Sequence, residues 1–208
     1  MAAFRSTIEA GAGIECDVRL SADDQLLIFH DHDLRRMCAS ALTVETASAE
    51  LPTSRRLFDT NEHIPSLVEL LDLVASRVAI LIELKTRGGN AGQIAGAAAA
   101  ALNGYTGPVG VISFDPQVGK WLARHAPGIR RGLVISRHAS AFDRWRCEAV
   151  ASPQFLAVDY ASLSRPWVAR QKRKRWVYSW TIRDNAERQT AAVHADALIW
   201  ESDGRPGS

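Results

Sequence analysis

Short apolar runs rich in β-branched residues alternate along this chain with stretches whose apolar residues recur at helical spacing, and that alternation restricts the fold more than any other property. The runs at 14–18, 26–29, 79–85, 109–114, 132–135, 155–160, 176–182 and 197–200 read as strands. Helical periodicity covers 2–10, 66–76, 91–102, 116–125, 140–149, 166–174 and 185–194. Such alternation builds a parallel sheet covered by helices through right-handed crossovers. An open doubly wound sheet and a closed barrel both meet that description. No Gly-x-Gly-x-x-Gly loop follows a first strand, and charged residues stand at the C-terminal ends of several strands, where a (β/α)8 barrel gathers its site. The expectation is an α/β fold of the TIM (β/α)8 barrel type, as a single domain over 1–208. Residues 26–65 break the alternation with a short strand and about 35 residues rich in Arg, Ser, Thr and Asp, and are expected to form an insertion over one rim.

At 208 residues, 47% hydrophobic and 23% charged, the chain can bury a core without disulfides or a structural metal. Its 25 Lys and Arg against 23 Asp and Glu give a formal charge of +2, which argues against nucleic acid or an anionic membrane as main partner. There is no long apolar run and no apolar signal core at the N-terminus, so no membrane span is expected and a cytoplasmic location follows by default. Cys16, Cys38 and Cys147 stand at unrelated spacings without CxxC and read as reduced thiols. The basic run 170–175 reads as a solvated helix end, because cations suit helix C-termini.

Ile14-Glu15-Cys16-Asp17-Val18 places two carboxylates at i and i+2 of a strand, so both project from one face while Cys16 and Val18 point the other way. Leu81-Ile82-Glu83-Leu84-Lys85 repeats the geometry and sets Glu83 beside Lys85 on one face. Three carboxylates without Cys or His ligands suit Mg2+ or Ca2+ better than Zn2+, and the lysine suits a phosphate. Interstrand ion pairs, or charges simply facing water, are the alternative. Leu27-Ile28-Phe29-His30-Asp31 ends another run in a histidine able to move a proton near neutral pH, or to make a structural hydrogen bond.

Ala3-Phe4, Ala10-Gly11-Ala12, Ile14-Glu15-Cys16-Asp17-Val18-Arg19-Leu20-Ser21 and His30-Asp31-His32-Asp33-Leu34-Arg35-Arg36 run in an order and spacing that resembles the glycerophosphodiester phosphodiesterase family. The likeness continues through Ile64-Pro65-Ser66-Leu67, Leu81 to Lys85, Ser113-Phe114 and Trp180-Thr181, and so spans nearly the whole chain. The Glu-x-Asp followed by His-Asp is its specific part. The resemblance implies a (β/α)8 barrel of the phospholipase-C-like kind and metal-dependent cleavage of glycerophosphodiesters to sn-glycerol 3-phosphate and an alcohol. It places the metal on Glu15, Asp17 and Glu83, one catalytic histidine on His30, and Lys85 near the substrate phosphate. Trp180, on the same strand face as Tyr178 and Ile182, would line the pocket, with a core position as the alternative.

The family's second histidine belongs to a His-Arg-Gly motif on its first barrel strand, followed by an acidic residue in a Glu-Asn-Thr/Ser segment, and neither motif occurs in this sequence. With 26–29 counted in the insertion, seven strands remain where a closed barrel wants eight, so the first strand is expected to be missing and the insertion to follow the second. The chain as written is expected to bind metal and phosphate weakly and to turn over slowly or not at all. Two rival readings are another phosphodiesterase of the phospholipase type, for which no long apolar lid is visible, and a non-catalytic phosphate- or metal-binding remnant of the barrel. Glu201 and the residues to Pro206 resemble the family's last-strand exit.

Overall fold

A computed structural model describes residues 1–201; the expected last-strand exit beyond Glu201 lies outside the described residues. In chain order the elements are α1 (Ala2–Glu9), β1 (Ile14–Leu20), β2 (Leu26–Ile28), α2 (Arg35–Cys38), α3 (Glu50–Thr53), α4 (Leu67–Val74), β3 (Ile80–Leu84), α5 (Ala91–Ala101), β4 (Val109–Ser113), α6 (Pro116–His125), β5 (Arg130–Ile135), α7 (Ala141–Ala151), β6 (Phe155–Asp159), α8 (Pro166–Lys172), β7 (Trp176–Ile182), α9 (Asn185–His194) and β8 (Ala197–Trp200). The sheet order is β2-β1-β3-β4-β5-β6-β7-β8. Every pairing is parallel except that of β2, which lies antiparallel against the end of β1. Seven parallel strands therefore curl into most of a barrel, and among the described residues β8 and β1 remain unpaired with each other. A cavity of about 750 Å³ lined by the N-terminal ends of the strands reaches this seam, with Phe4, Ile14, Glu15, Tyr178 and Ile199 among its walls.

Strand parity divides the apolar residues into two layers. Residues on the outer face, such as Ile80, Ile82, Leu84 and Val111, pack against the helices with Leu70, Ile94, Ala98 and Leu122. A second part of that layer holds Leu133, Leu156, Val158 and Val177 beneath the later helices. The inner face is filled by Ile112, Val134, Phe155 and Ala157, with Leu81, Tyr178 and Trp180 against them. Gly132 is needed there because the Phe155 ring and Ile112 occupy the space a side chain would take.

Local chemistry sets the helix boundaries. Ser66 and Glu69 form a reciprocal capping box at the start of α4, and Asp115 caps α6 ahead of Pro116. α1 runs out into Gly11, whose φ of 66° suits a residue without a side chain, and the chain turns there into β1. The insertion is more ordered than its composition suggests. It holds α2, α3 and a 3₁₀ turn at Val44–Thr46 around a small core of Leu27, Phe29, Leu34, Val44 and Ile64. One expected orientation is wrong: Ile182 does not share the inner face with Tyr178 and Trp180. The pairing of β7 with β8 is irregular between Ser179 and Ile182, and that shift turns Ile182 into the outer core.

Candidate active site

Parallel register sets Asp17 opposite Glu83 toward the C-terminal side of the β1–β3 pairing, and Glu15 opposite Leu81 two residues deeper in the barrel. Glu15, Asp17 and Glu83 share the inner face, while Cys16 and Val18 are buried in the outer core. The three carboxylates bring oxygens within 4.8 Å of one another. The Lys85 amide donates to the Val18 carbonyl at 2.9 Å, which continues the register one step. Its Nζ lies 2.8 Å from Asp17 Oδ1 and 2.5 Å from Glu83 Oε1.

One ammonium thus pairs with two of three clustered carboxylates, and the surplus negative charge shows in the titration of Glu15 and Glu83. Burial, reinforced by Asp17 and Glu83, pushes Glu15 up to about 8 despite Lys85. Burial also raises Glu83 above the ordinary carboxylate range, against the pull of Lys85. For Lys85 burial alone favours the neutral amine, but Asp17 and Glu83 outweigh it and the ammonium holds its proton above the usual lysine range. Buried Glu83 Oε1 accepts no hydrogen bond of normal geometry and meets only the Lys85 charge. An under-coordinated anionic oxygen among other carboxylates is the donor set a hard cation requires.

His30 stands at the rim just beyond β2, with its side chain 68% exposed. Its Nδ1 is 2.9 Å from Asp31 Oδ1, and Arg36 in turn donates to both Asp31 oxygens at 2.7 and 2.9 Å. Those bonds hold the Asp31 carboxyl down at about 2, so the histidine keeps a charged partner across the neutral range. The Phe29 amide just before His30 donates to the Asp17 carbonyl at 2.9 Å, which holds the His30 backbone beside the carboxylate strand. Trp180 is half-buried; its Nε1 donates to the Ala157 carbonyl at 3.0 Å, and its ring meets Phe114 edge-on at 5.5 Å. Phe114 lies 5.8 Å from Lys85 Nζ, so Trp180 forms the wall behind Phe114 while packing into the inner core.

The expected residues Glu15, Asp17, Glu83 and Lys85 are therefore brought into one cluster, with His30 at its edge. Sequence reasoning missed the ion pair of Arg19 and Glu45, which adjoins His30. The i+2 position of Arg19 after Asp17 was an available sign; Glu45, inside the insertion, offered none.

Comparison with known proteins bears on the fold and the family. A phosphodiesterase from Oleispira antarctica, solved in complex with the product sn-glycerol-3-phosphate, superposes with a TM-score of 0.85 at 22% identity, covering 97% of this chain and 87% of that one. A glycerophosphodiester phosphodiesterase from Parabacteroides distasonis gives 0.81 at 20% identity over 96% of this chain and 84% of that one. The enzyme of the same description from Thermotoga maritima gives 0.78 at 24% identity over 96% and 86%. At these identities the likeness speaks for the fold. No curated protein matches the chain. The sequence pattern of the Glycerophosphoryl diester phosphodiesterase family, however, fits residues 1–202, and the chain belongs to that family of phosphoric diester hydrolases.

Proposed function

We propose that the chain hydrolyses glycerophosphodiesters to sn-glycerol 3-phosphate and an alcohol, with a divalent cation held by Glu15, Asp17 and Glu83. The observation that carries this is the convergence of three carboxylates and a lysine on the inner face of two adjacent parallel strands in a member of a phosphodiesterase family. Two oxygens bound to one Ca2+ at about 2.3–2.6 Å stand at most about 5 Å apart, and this cluster satisfies that limit. When bound, the cation supplies charge that polarises the phosphoryl oxygens.

The chain's own residues do the rest. Lys85 would meet the phosphate from beside the carboxylates, with Phe114 and Trp180 next to it. His30, steadied at Nδ1 by Asp31, has its other nitrogen to take or give a proton. In the hydrolysis the P–O bond to the alcohol breaks, a P–O bond to the oxygen of water forms, and a proton ends on the departing alcohol. Two proton transfers are needed. Residues 1–208 contain His30 but not the His-Arg-Gly motif, so this polypeptide alone is expected to work about 10²- to 10⁴-fold below the rate with both groups. His32, His63, His125, His138 and His194 lie outside the cluster.

The substrate class fits glycerophospholipid breakdown, and the unpaired Cys16, Cys38 and Cys147 suit the reducing cytoplasm. Among the described residues no helix is long and apolar enough to cross a membrane. Release of sn-glycerol 3-phosphate from glycerophosphoethanolamine, measured with Mg2+ or Ca2+ and again after chelation, tests the reading. Slow release that stops with chelator and is lost in Glu83→Gln supports it. Cation and phosphate binding without any release would favour a non-catalytic barrel.

A further inference from the structure

We propose that Arg19 and Glu45 are a buried positioning pair that holds the His30 main chain against the carboxylate cluster, an inference that rests on His30 serving in proton transfer. Arg19 follows Asp17 by two residues, at the site end of β1, and only 8% of its surface is exposed. Its Nη1 lies 2.5 Å from Glu45 Oε1, and its Nη2 donates to the His30 carbonyl at 2.9 Å. A guanidinium fork reaches two acceptors in fixed directions, which an ammonium does not. Glu45 sits in the 3₁₀ turn beside Val44, a fully buried member of the insertion's core, so packing fixes its place. Its second oxygen is buried without a hydrogen bond and faces Arg87 at 3.5 Å, two residues beyond Lys85.

One carboxylate thus joins three things: the exit of β1, the exit of β3 and, through Arg19, the histidine loop. Burying such charges is costly and is poorly explained by stability alone, since apolar replacement of both partners is often neutral or better. The insertion already has a core to hold it. What apolar contacts do not supply is a directed donor to the His30 carbonyl, on a residue whose ring is largely in solvent. Phe29, one residue earlier, donates to the Asp17 carbonyl at 2.9 Å, so the loop is bound to the ligand strand on both sides of this point. The pair determines where the imidazole stands relative to Glu83.

The test uses the ring resonances of 13C-labelled histidines in residues 1–208, with the His30 signal assigned by its loss in His30→Asn, during addition of Ca2+ and sn-glycerol 3-phosphate. Arg19→Met combined with Glu45→Met removes both charges together and is the variant expected to fold. The His30 signal should respond to the ligands in the parent chain and lose that response in the paired variant, compared at equal ligand occupancy. Where turnover is measurable, kcat should fall about 10- to 100-fold at unchanged KM. A merely structural pair would lower the unfolding midpoint and leave the response intact, which overturns the proposal. If the paired variant does not fold, Arg19→Lys carries the test, since it keeps the charge without the fork and should weaken the response. A parent His30 that ignores the ligands, with Ca2+ still bound, refutes the histidine's role and the positioning with it. Absence of Ca2+ binding refutes the cation site itself and thereby both.

Discussion

Glu15 is strongly altered by its surroundings, and its shift has a sign that can be checked. Between its ordinary value of 4.5 and about 8, the folded protein keeps a proton on Glu15 that the unfolded chain has released. The cation-free fold should therefore lose stability as pH rises through that window, by at most about 1.4 kcal/mol per pH unit from this group. Thermal midpoints in chelator at pH 5 and pH 8 measure the effect, and Glu15→Gln should flatten it; an equal slope in parent and variant would assign the effect elsewhere. At this scale the sequence was readable where strand parity alone decided the geometry, as for Glu15, Asp17, Glu83 and Lys85. It was unreadable where side chains meet across an irregular segment. Arg19 and Glu45 are 26 positions apart, and no periodicity links them.

The elements divide in the same way. Both long helices and buried strands were legible because each spans at least one full period of its pattern, and Ser66-Leu67-Val68-Glu69 marked the start of α4 chemically. The four-residue helices α2 and α3 are too short to display a helical period, so beyond its short strand the insertion read as having no clear helix. The orientation of Ile182 failed for a different reason, because strict alternation assumes an unbroken ladder and β7 departs from one. The tightest point between elements is Gly132 of β5. A Cβ there would press into the Phe155 ring and approach Ile112 Cγ2 to 2.8 Å, so Gly132→Ala should destabilise the fold by about 1–3 kcal/mol. Urea unfolding at constant m-value checks this; an unchanged midpoint would show that Phe155 moves aside freely.

For the molecule as a whole, the number of barrel strands followed from counting apolar runs, and the sheet has the seven parallel strands that the count gave, with the seam between β8 and β1. What the count did not show is a cavity of about 750 Å³ at the N-terminal ends of the strands, which reaches from Glu15 to the β8 edge. An unpaired strand edge beside an apolar cavity is a template for further pairing. Residues 1–208 alone should therefore associate with rising concentration, and Ile199→Lys on β8 should reduce that association in sedimentation velocity. A parent chain that stays monomeric throughout would show the edge to be inert. The assignment of a cation to the three carboxylates remains the point on which the functional reading depends. Calorimetric titration of Ca2+ into residues 1–208 in the presence of sn-glycerol 3-phosphate tests it directly: the parent chain should bind one ion and Glu83→Gln should bind it at least about tenfold more weakly, whereas equal binding by the two, or none by the parent, would contradict it.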